Sequence, residues 1–321
     1  MPIFIEAVIR SYFMNRSFLF LLFYSTSLCL SLNGMAQNYF YNSNYYEPLI
    51  LWEIGLSAGG MNCLTDLGGN KGPGSYFIKD LNVKNTRFCA SAYVHALYNN
   101  FLGGRIEFTV GQVTAYDSIL KDDNSVARYR YKRNLHFRSL ITELSFIGEW
   151  YFLSPLFQKK TNREPLLSPY LLAGVGVFHF NPEAKLNNDW ILLQPLHTEG
   201  QGFREYPDRN NYSRTQVNFP IGMGIRYELS ALINVQMEVV HRILMTDYLD
   251  DVSTNYIEPT LFNHYLDISK AIRANQLYDR RPEINPAMLA SPGQQRGDPS
   301  DKDAYFSVNL KLGLVLNRQR R

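Results

Sequence analysis

The stretch Tyr305-Phe-Ser-Val-Asn-Leu-Lys-Leu-Gly-Leu-Val-Leu316 decides the fold. Every second residue from Phe306 is apolar: Phe306, Val308, Leu310, Leu312, Leu314 and Leu316. Between them fall Ser307, Asn309, Lys311, Gly313 and Val315. A period of two belongs to a β-strand, whose successive side chains leave opposite faces. One face here is unbroken hydrocarbon, and the other carries an amide and an ammonium. A soluble sheet would bury the leucines and hydrate the lysine. A membrane barrel would turn the leucines toward lipid and the lysine toward an enclosed lumen. The rest of the chain selects between the two.

Seven further runs share this rhythm, at 50–63, 86–98, 101–115, 138–153, 169–180, 214–228 and 232–247, with the eighth at 304–317. Strands of about 9–11 residues are enough to cross a bilayer. The connections alternate in length. Asn99-Asn100 is a two-residue hairpin signal of the positive-φ kind, and Ser230-Ala231 marks a second tight turn. Between them stand long loops at 64–85, 116–137, 181–213 and 248–303. Short turns on one side and long loops on the other are the asymmetry of outer-membrane barrels. The connection 154–168 is oversized for the short side. Within the last loop, Phe262 to Tyr278 has the pattern of a short amphipathic helix.

Parity separates the residues into two faces. Trp52, Ile54, Leu56, Phe88, Val94, Ile106, Phe108, Leu144, Phe146, Val175, Phe219, Met223 and Met237 share one face with the leucines of the last strand. The other face gathers Glu53, Arg87, His95, Arg105, Glu107, Glu143, Glu149, Arg226, Glu238, Arg242, Asn309 and Lys311. A sheet buried on both sides would not hold five glutamates and five Arg or Lys on one face. A half-exposed soluble sheet would need a second layer to cover eight apolar faces, and few helices are on offer. Closing the sheet meets both demands, because lipid takes the apolar face and the charges pair inside. Closure is required in lipid in any case, since each backbone group must find a partner internally. The expected fold is therefore all-β, an eight-stranded antiparallel transmembrane barrel with long extracellular loops. An eight-stranded lumen is only just filled by side chains, and buried charges are costly unless paired. Glu53, Arg87, Arg105, Glu107, Glu143, Glu149, Arg226, Glu238, Arg242 and Lys311 are expected to form an ion-pair network that plugs it. A proton or ion path is the alternative.

The bulk numbers agree. The chain has 321 residues and a formal charge of +3, too small to argue for nucleic acid. Tyr and Phe number 22 and 20, which favours strands over helices. Mean hydropathy is -0.23, so no bundle of membrane helices is hidden here. Ser17 to Leu32 is one apolar run, preceded by Arg16 and followed by Gly34 and Ala36 at the −3 and −1 positions of a cleavage site. That is the pattern of a secretory signal peptide over 1–36, leaving 37–321 as a single barrel domain. Beyond it, Cys63 and Cys89 allow either one disulfide or two packed thiols.

Other motifs carry weaker signals. The alternating Arg and Tyr of 128–133 offer phosphates or acidic surfaces a partner, against the reading of a polar extension above the membrane, which is favoured. Asp247, Asp250 and Asp251 could offer oxygen ligands to calcium, yet their spacing is not that of an EF-hand loop. Solvated acids or loop caps are the favoured reading, so no metal and no cofactor is expected. Gly-x-Ser-x-Gly, His-Glu-x-x-His and P-loop patterns are absent. His179, His241 and His264 lie near expected rims without a Ser/His/acid set, so no catalytic residues are assigned.

Five segments carry a family resemblance: 52–67 (WEIGLSAGGMNCLTDL), 133–139 (RNLHFRS), 169–182 (PYLLAGVGVFHFNP), 194–202 (QPLHTEGQG) and 246–253 (TDYLDDVS). They resemble the Bacteroidetes outer-membrane barrels of the PorG-like family, over about 50–317. The resemblance implies an OmpA-like barrel in the cell outer membrane, in contact with its lipid and lipopolysaccharide. It also implies a non-enzymatic accessory role in type IX protein secretion, with periplasmic ring subunits as partners and no nucleic acid. On that reading, 154–168 and Arg318 to Arg321 are where a ring would touch. A passive surface barrel (stabiliser, adhesin or small pore) is the alternative, and a rim-site lipid-modifying enzyme a third.

Overall fold

The computed structural model describes residues 45–46, 48–68, 83–120, 128–155 and 167–320. Its strands are β1 (Tyr45–Tyr46), β2 (Ile50–Leu64), β3 (Arg87–Tyr98), β4 (Leu102–Tyr116), β5 (His136–Trp150) and β6 (Leu167–His179). They continue as β7 (Pro182–Leu186), β8 (Asp189–Leu192), β9 (Thr215–Glu228), β10 (Ile233–Leu244), β11 (Ala304–Val315) and β12 (Gln319–Arg320). Helices α1 (Arg128–Arg133), α2 (Phe262–Tyr265) and α3 (Ile268–Leu277) lie in the long connections.

Eight strands close on themselves in the order β2, β3, β4, β5, β6, β9, β10, β11, each antiparallel to its neighbours. The seam between β11 and β2 runs in unbroken register from Ala304↔Leu64 to Val315↔Glu53. Closure leaves no row of unpaired amides facing outward, which is what hydrocarbon demands of a spanning sheet. Each barrel strand falls within three residues of its expected run.

The outer surface is apolar on every strand. Leu56, Phe88, Ile106, Phe146, Val177, Met223, Met237 and Leu310 are each at least half exposed. In water so continuous an apolar belt would be an aggregation surface, whereas in lipid it is solvated. The alternate residues turn inward and are buried.

The short turns behave as their residues dictate. Asn99 and Asn100 both have positive φ (47° and 52°), as a two-residue I′ hairpin requires. At the β9–β10 turn, Ser230 Oγ accepts from the Leu232 and Ile233 amides (3.3 and 3.1 Å). Two inward glycines make room for rings. Gly55 sits opposite Tyr93 and Gly224 opposite Tyr170 in the strand register, and a Cβ at either glycine would run into the tyrosine across from it.

The long loops depart from expectation in two places. The loop 181–213 contains a hairpin, β7–β8, which extends the sheet beyond β5. The single helix expected over 262–278 is two, because Leu266 is extended and Asp267 caps α3 by accepting from the Lys270 amide (2.9 Å). The expected signal peptide, 1–36, lies outside the described residues, as does most of 154–168. Cys63 and Cys89 are both free and buried. The Cys63 thiol points at the Thr114 carbonyl (3.7 Å) and that of Cys89 at Asn309 (3.3 Å).

Candidate functional site

The inward faces bring opposite charges within contact distance in three groups. At the middle of the lumen, Arg105 on β4 touches Glu107 (2.6 Å), Glu238 (2.9 Å) and Glu149. Lys311, from β11, lies 2.8 Å from Glu107 and 3.4 Å from Glu238, with its ammonium over the Tyr93 ring. His95 Nε2 is 3.2 Å from Glu149. The Tyr151 and Tyr170 hydroxyls donate to Glu149 (2.7 Å) and Glu238 (3.0 Å).

Toward the short turns, Glu53 accepts from Tyr93 (2.7 Å), Asn234 (2.6 Å) and Gln236 (3.0 Å), and Arg226 lies 3.4 Å away. Toward the long loops, Arg242 pairs with Glu143 (2.7 Å) and donates to Ser307 (2.8 Å), and the Tyr305 hydroxyl donates to the same carboxylate (3.1 Å). The structure therefore brings together Glu53, Arg105, Glu107, Glu143, Glu149, Arg226, Glu238, Arg242 and Lys311.

Arg87 is placed differently. It is half-buried at the loop end of β3, where its Nε donates to Thr114 Oγ1 (3.1 Å). Its strand position is one step beyond the belt, so parity assigned its face while its height took it out of the lumen. Two charged residues joined the lumen unforeseen. Glu228, at the end of β9, accepts from Arg318 (3.2 Å), and Arg318 also donates to the Ala231 carbonyl (3.1 Å). Arg318 is buried, so the tail turns this side chain up against the barrel floor. The inward tyrosines, silent in a reading of charge, could have been found by their parity with Glu53 and Glu238.

Apolar layers bracket the network. On the short-turn side lie Leu51, Leu97 and Val315, which cluster with Ile147, Leu172 and Val240 at the level of the ion pairs. On the other side Met61, Val113, Phe137, Ile141 and Phe178 begin a larger core that runs up into the loops and includes Leu196, Leu249, Phe262 and Leu277. Ion pairs excluded from water at both ends interact far more strongly than they would in solvent, and lose far more when one partner is removed.

The loops form a folded cap. Arg133 binds Asp117 (2.9 Å), the Asp66 carbonyl (2.6 Å) and the Arg296 carbonyl (2.6 Å), tying three long connections together. Burial disfavours its charge, but Asp117 overcomes this and holds the guanidinium above its ordinary pKa. Arg296 pairs with Glu199 (2.8 Å) from the β8–β9 connection, which also accepts from the Ser253 and Thr254 amides (3.0 and 2.9 Å). The segment 128–133 is thus bound into the cap through Arg133 rather than projecting from it. Asp247, Asp250 and Asp251 are buried instead of solvated. Asp250 is a loop cap, accepting from the Val252 amide (2.9 Å). Among the described residues no three Asp, Glu, His or Cys side chains converge to hold a metal. His179 bonds Thr215 on the outward face (2.9 Å), His241 faces outward on β10, and His264 is exposed on α2.

The fold is a closed eight-stranded antiparallel barrel. No family model and no curated protein matches the chain. Among solved structures it is similar to Ail of Yersinia pestis in complex with the heparin analogue sucrose octasulfate. That match has 8% identity and a TM-score of 0.34, and covers 83% of this chain and 97% of Ail. Neisserial surface protein A matches at 8% identity and TM-score 0.32, over 83% and 97%. A major outer membrane protein from Thermus thermophilus matches at 11% and 0.33, over 83% and 99%. Likenesses this distant describe architecture alone, and none of them bears on the PorG-like or type IX reading.

Proposed function

We propose that the protein is a non-enzymatic outer-membrane barrel with a sealed lumen, working through the folded cap it holds at the cell surface. The observation that carries this reading is the paired network: charges on β2, β4, β5, β9, β10 and β11 neutralise one another between two apolar layers. Such an interior supports the outer wall and fills the lumen with paired side chains, which is what a seal needs. Lipid and lipopolysaccharide surround the belt, and the cap faces outward by the usual asymmetry of turns and loops. Planar-bilayer recording tests the seal. The purified barrel should give no current, and steady stepwise conductance would overturn it.

An accessory role in protein secretion of the type IX kind is the finer reading, and its support is the resemblance of 52–67, 133–139, 169–182, 194–202 and 246–253 to PorG-like barrels. Arg318 engages the barrel floor, which leaves 154–168 and the tail residues 319–321 as the segments for periplasmic ring subunits to meet. Crosslinking in intact cells, with identification of the attached proteins, tests it. Recovery of ring subunits supports a secretion role, and their absence from a barrel crosslinked efficiently to other neighbours removes it.

A further inference from the structure

Where the first and last long loops meet, four aspartates lie close together with few cations. Asp250 Oδ2 accepts from the Leu67 amide (3.1 Å) and Asp66 Oδ2 from the Asp298 amide (2.8 Å), so each joins one loop to the other. Asp303, at the foot of β11, accepts from the Leu249 amide (2.8 Å) and donates its own amide to the Thr246 carbonyl (3.3 Å). Asp247 is only 4% exposed, and neither of its oxygens has a donor in hydrogen-bonding geometry, although the Ser253 hydroxyl lies near enough to ease its charge.

The surrounding groups do not neutralise this set. Arg133 approaches Asp66 but is already paired with Asp117. Lys302 approaches Asp247 from the exposed side. Arg296 is engaged by Glu199 and lies beside Asp251. Glu199 and Asp298 add further negative charge, and the Cys63 thiol lies beside Asp250 and Asp303. Three buried carboxylates, with the half-buried Asp66 beside them, cannot all ionise cheaply. Something must neutralise them, and no three of these side chains converge on a metal position among the described residues.

We propose that Asp66, Asp247, Asp250 and Asp303 act as a proton-operated latch, holding the last long loop against the first while they share protons and releasing it as the medium turns alkaline. Burial first, then repulsion from Glu199 and Asp298, pushes Asp66 up to about 7, and burial followed by repulsion from Asp66 and Glu199 pushes Asp247 up to about 8. Burial, followed by repulsion from the other aspartates of the set, takes Asp250 and Asp303 well above the usual carboxylate range. Folding raises these values, so the closed latch binds more protons than the open one. Its contribution is full in acid and is lost as pH rises through about 7 to 8.

Limited proteolysis of the full barrel in lipid, normalised to an unstructured peptide at each pH, reads the opening directly, because cleavage tracks the open population when reclosing is fast. Cleavage within 245–303 should rise about tenfold or more between about pH 6 and about pH 9. In Asp247→Asn/Asp303→Asn the rise over the same range should be severalfold smaller, because only Asp66 and Asp250 still titrate. A wild-type rate flat with pH, or an equal rise in the variant, overturns the latch. So does restored protection at about pH 9 by calcium at about 1 mM, a concentration that fills extracellular-type sites, since a cation would then be the neutralising species. If the variant misfolds, infrared spectra of the wild type decide. Protonated carboxyl bands must persist above neutral pH and fade as cleavage rises.

Discussion

Arg105 on β4 and Lys311 on β11 hold the same two carboxylates, those of Glu107 and Glu238. The two cations come from strands separated by β3 and β2, so this square braces the lumen across its width. Removing one corner leaves an uncompensated buried charge. Lys311→Met should cost about 3–5 kcal/mol in urea unfolding of the refolded barrel. Adding Glu238→Gln should return part of that loss. A Lys311→Met barrel as stable as the parent would show that the square does not brace the lumen.

Gly55 tests the fit of tyrosine over glycine. Gly55→Ala pushes a methyl into the Tyr93 ring, whose hydroxyl reaches Glu53. Overpacking of this kind should cost about 1–3 kcal/mol. Tyr93→Phe, which keeps the ring and drops the hydroxyl, should cost about 1.5–3 kcal/mol through the lost bond to a charged group. Thermal unfolding of both variants in detergent checks the pair.

The belt and the cap should respond oppositely to the same substitution. Leu310 faces outward at mid-strand on β11, 60% exposed, and Leu310→Arg should destabilise by about 2–4 kcal/mol, the cost of arginine near a bilayer midplane. Ile268 is 82% exposed on α3, and Ile268→Arg should stay within about 0.5 kcal/mol. Equal costs at the two sites would mean that the belt does not face hydrocarbon.

Arg133 ties three loops together through Asp117 and the Asp66 and Arg296 carbonyls. Arg133→Ala should raise protease cleavage of the loops severalfold, leave strand content unchanged by circular dichroism, and leave binding of lipopolysaccharide aggregates unchanged. Weakened lipopolysaccharide binding with intact loops would reverse that assignment.

The barrel was legible because period-two patterning is physical: lipid on one side and lumen on the other force each strand to alternate. Parity alone puts Glu53, Arg105, Glu107 and Lys311 inside. Height along the strand is a separate quantity, which is why Arg87 rides above the lumen while Glu228 and Arg318, at a strand end and in the tail, fall within it. The cap was opaque. Leu249 packs from a stretch that keeps no period, Phe262 and Leu277 from a helical pattern that does not say what it packs against, and a contact such as Arg133 with the Arg296 carbonyl joins residues distant in sequence with no local signature. The β7–β8 hairpin did have a signal in Asn187-Asn188, with Asn187 at positive φ as at Asn99, but strands of five and four residues are too short to show alternation.

The β11–β2 seam has a consequence for biogenesis. Until Val308 meets Gly60 and Leu312 meets Leu56, the ribbon is open and its glutamates and arginines have no opposite wall to meet. A half-inserted ribbon would drag those ions through hydrocarbon, so entry into the bilayer and final zippering have to occur as one cooperative event.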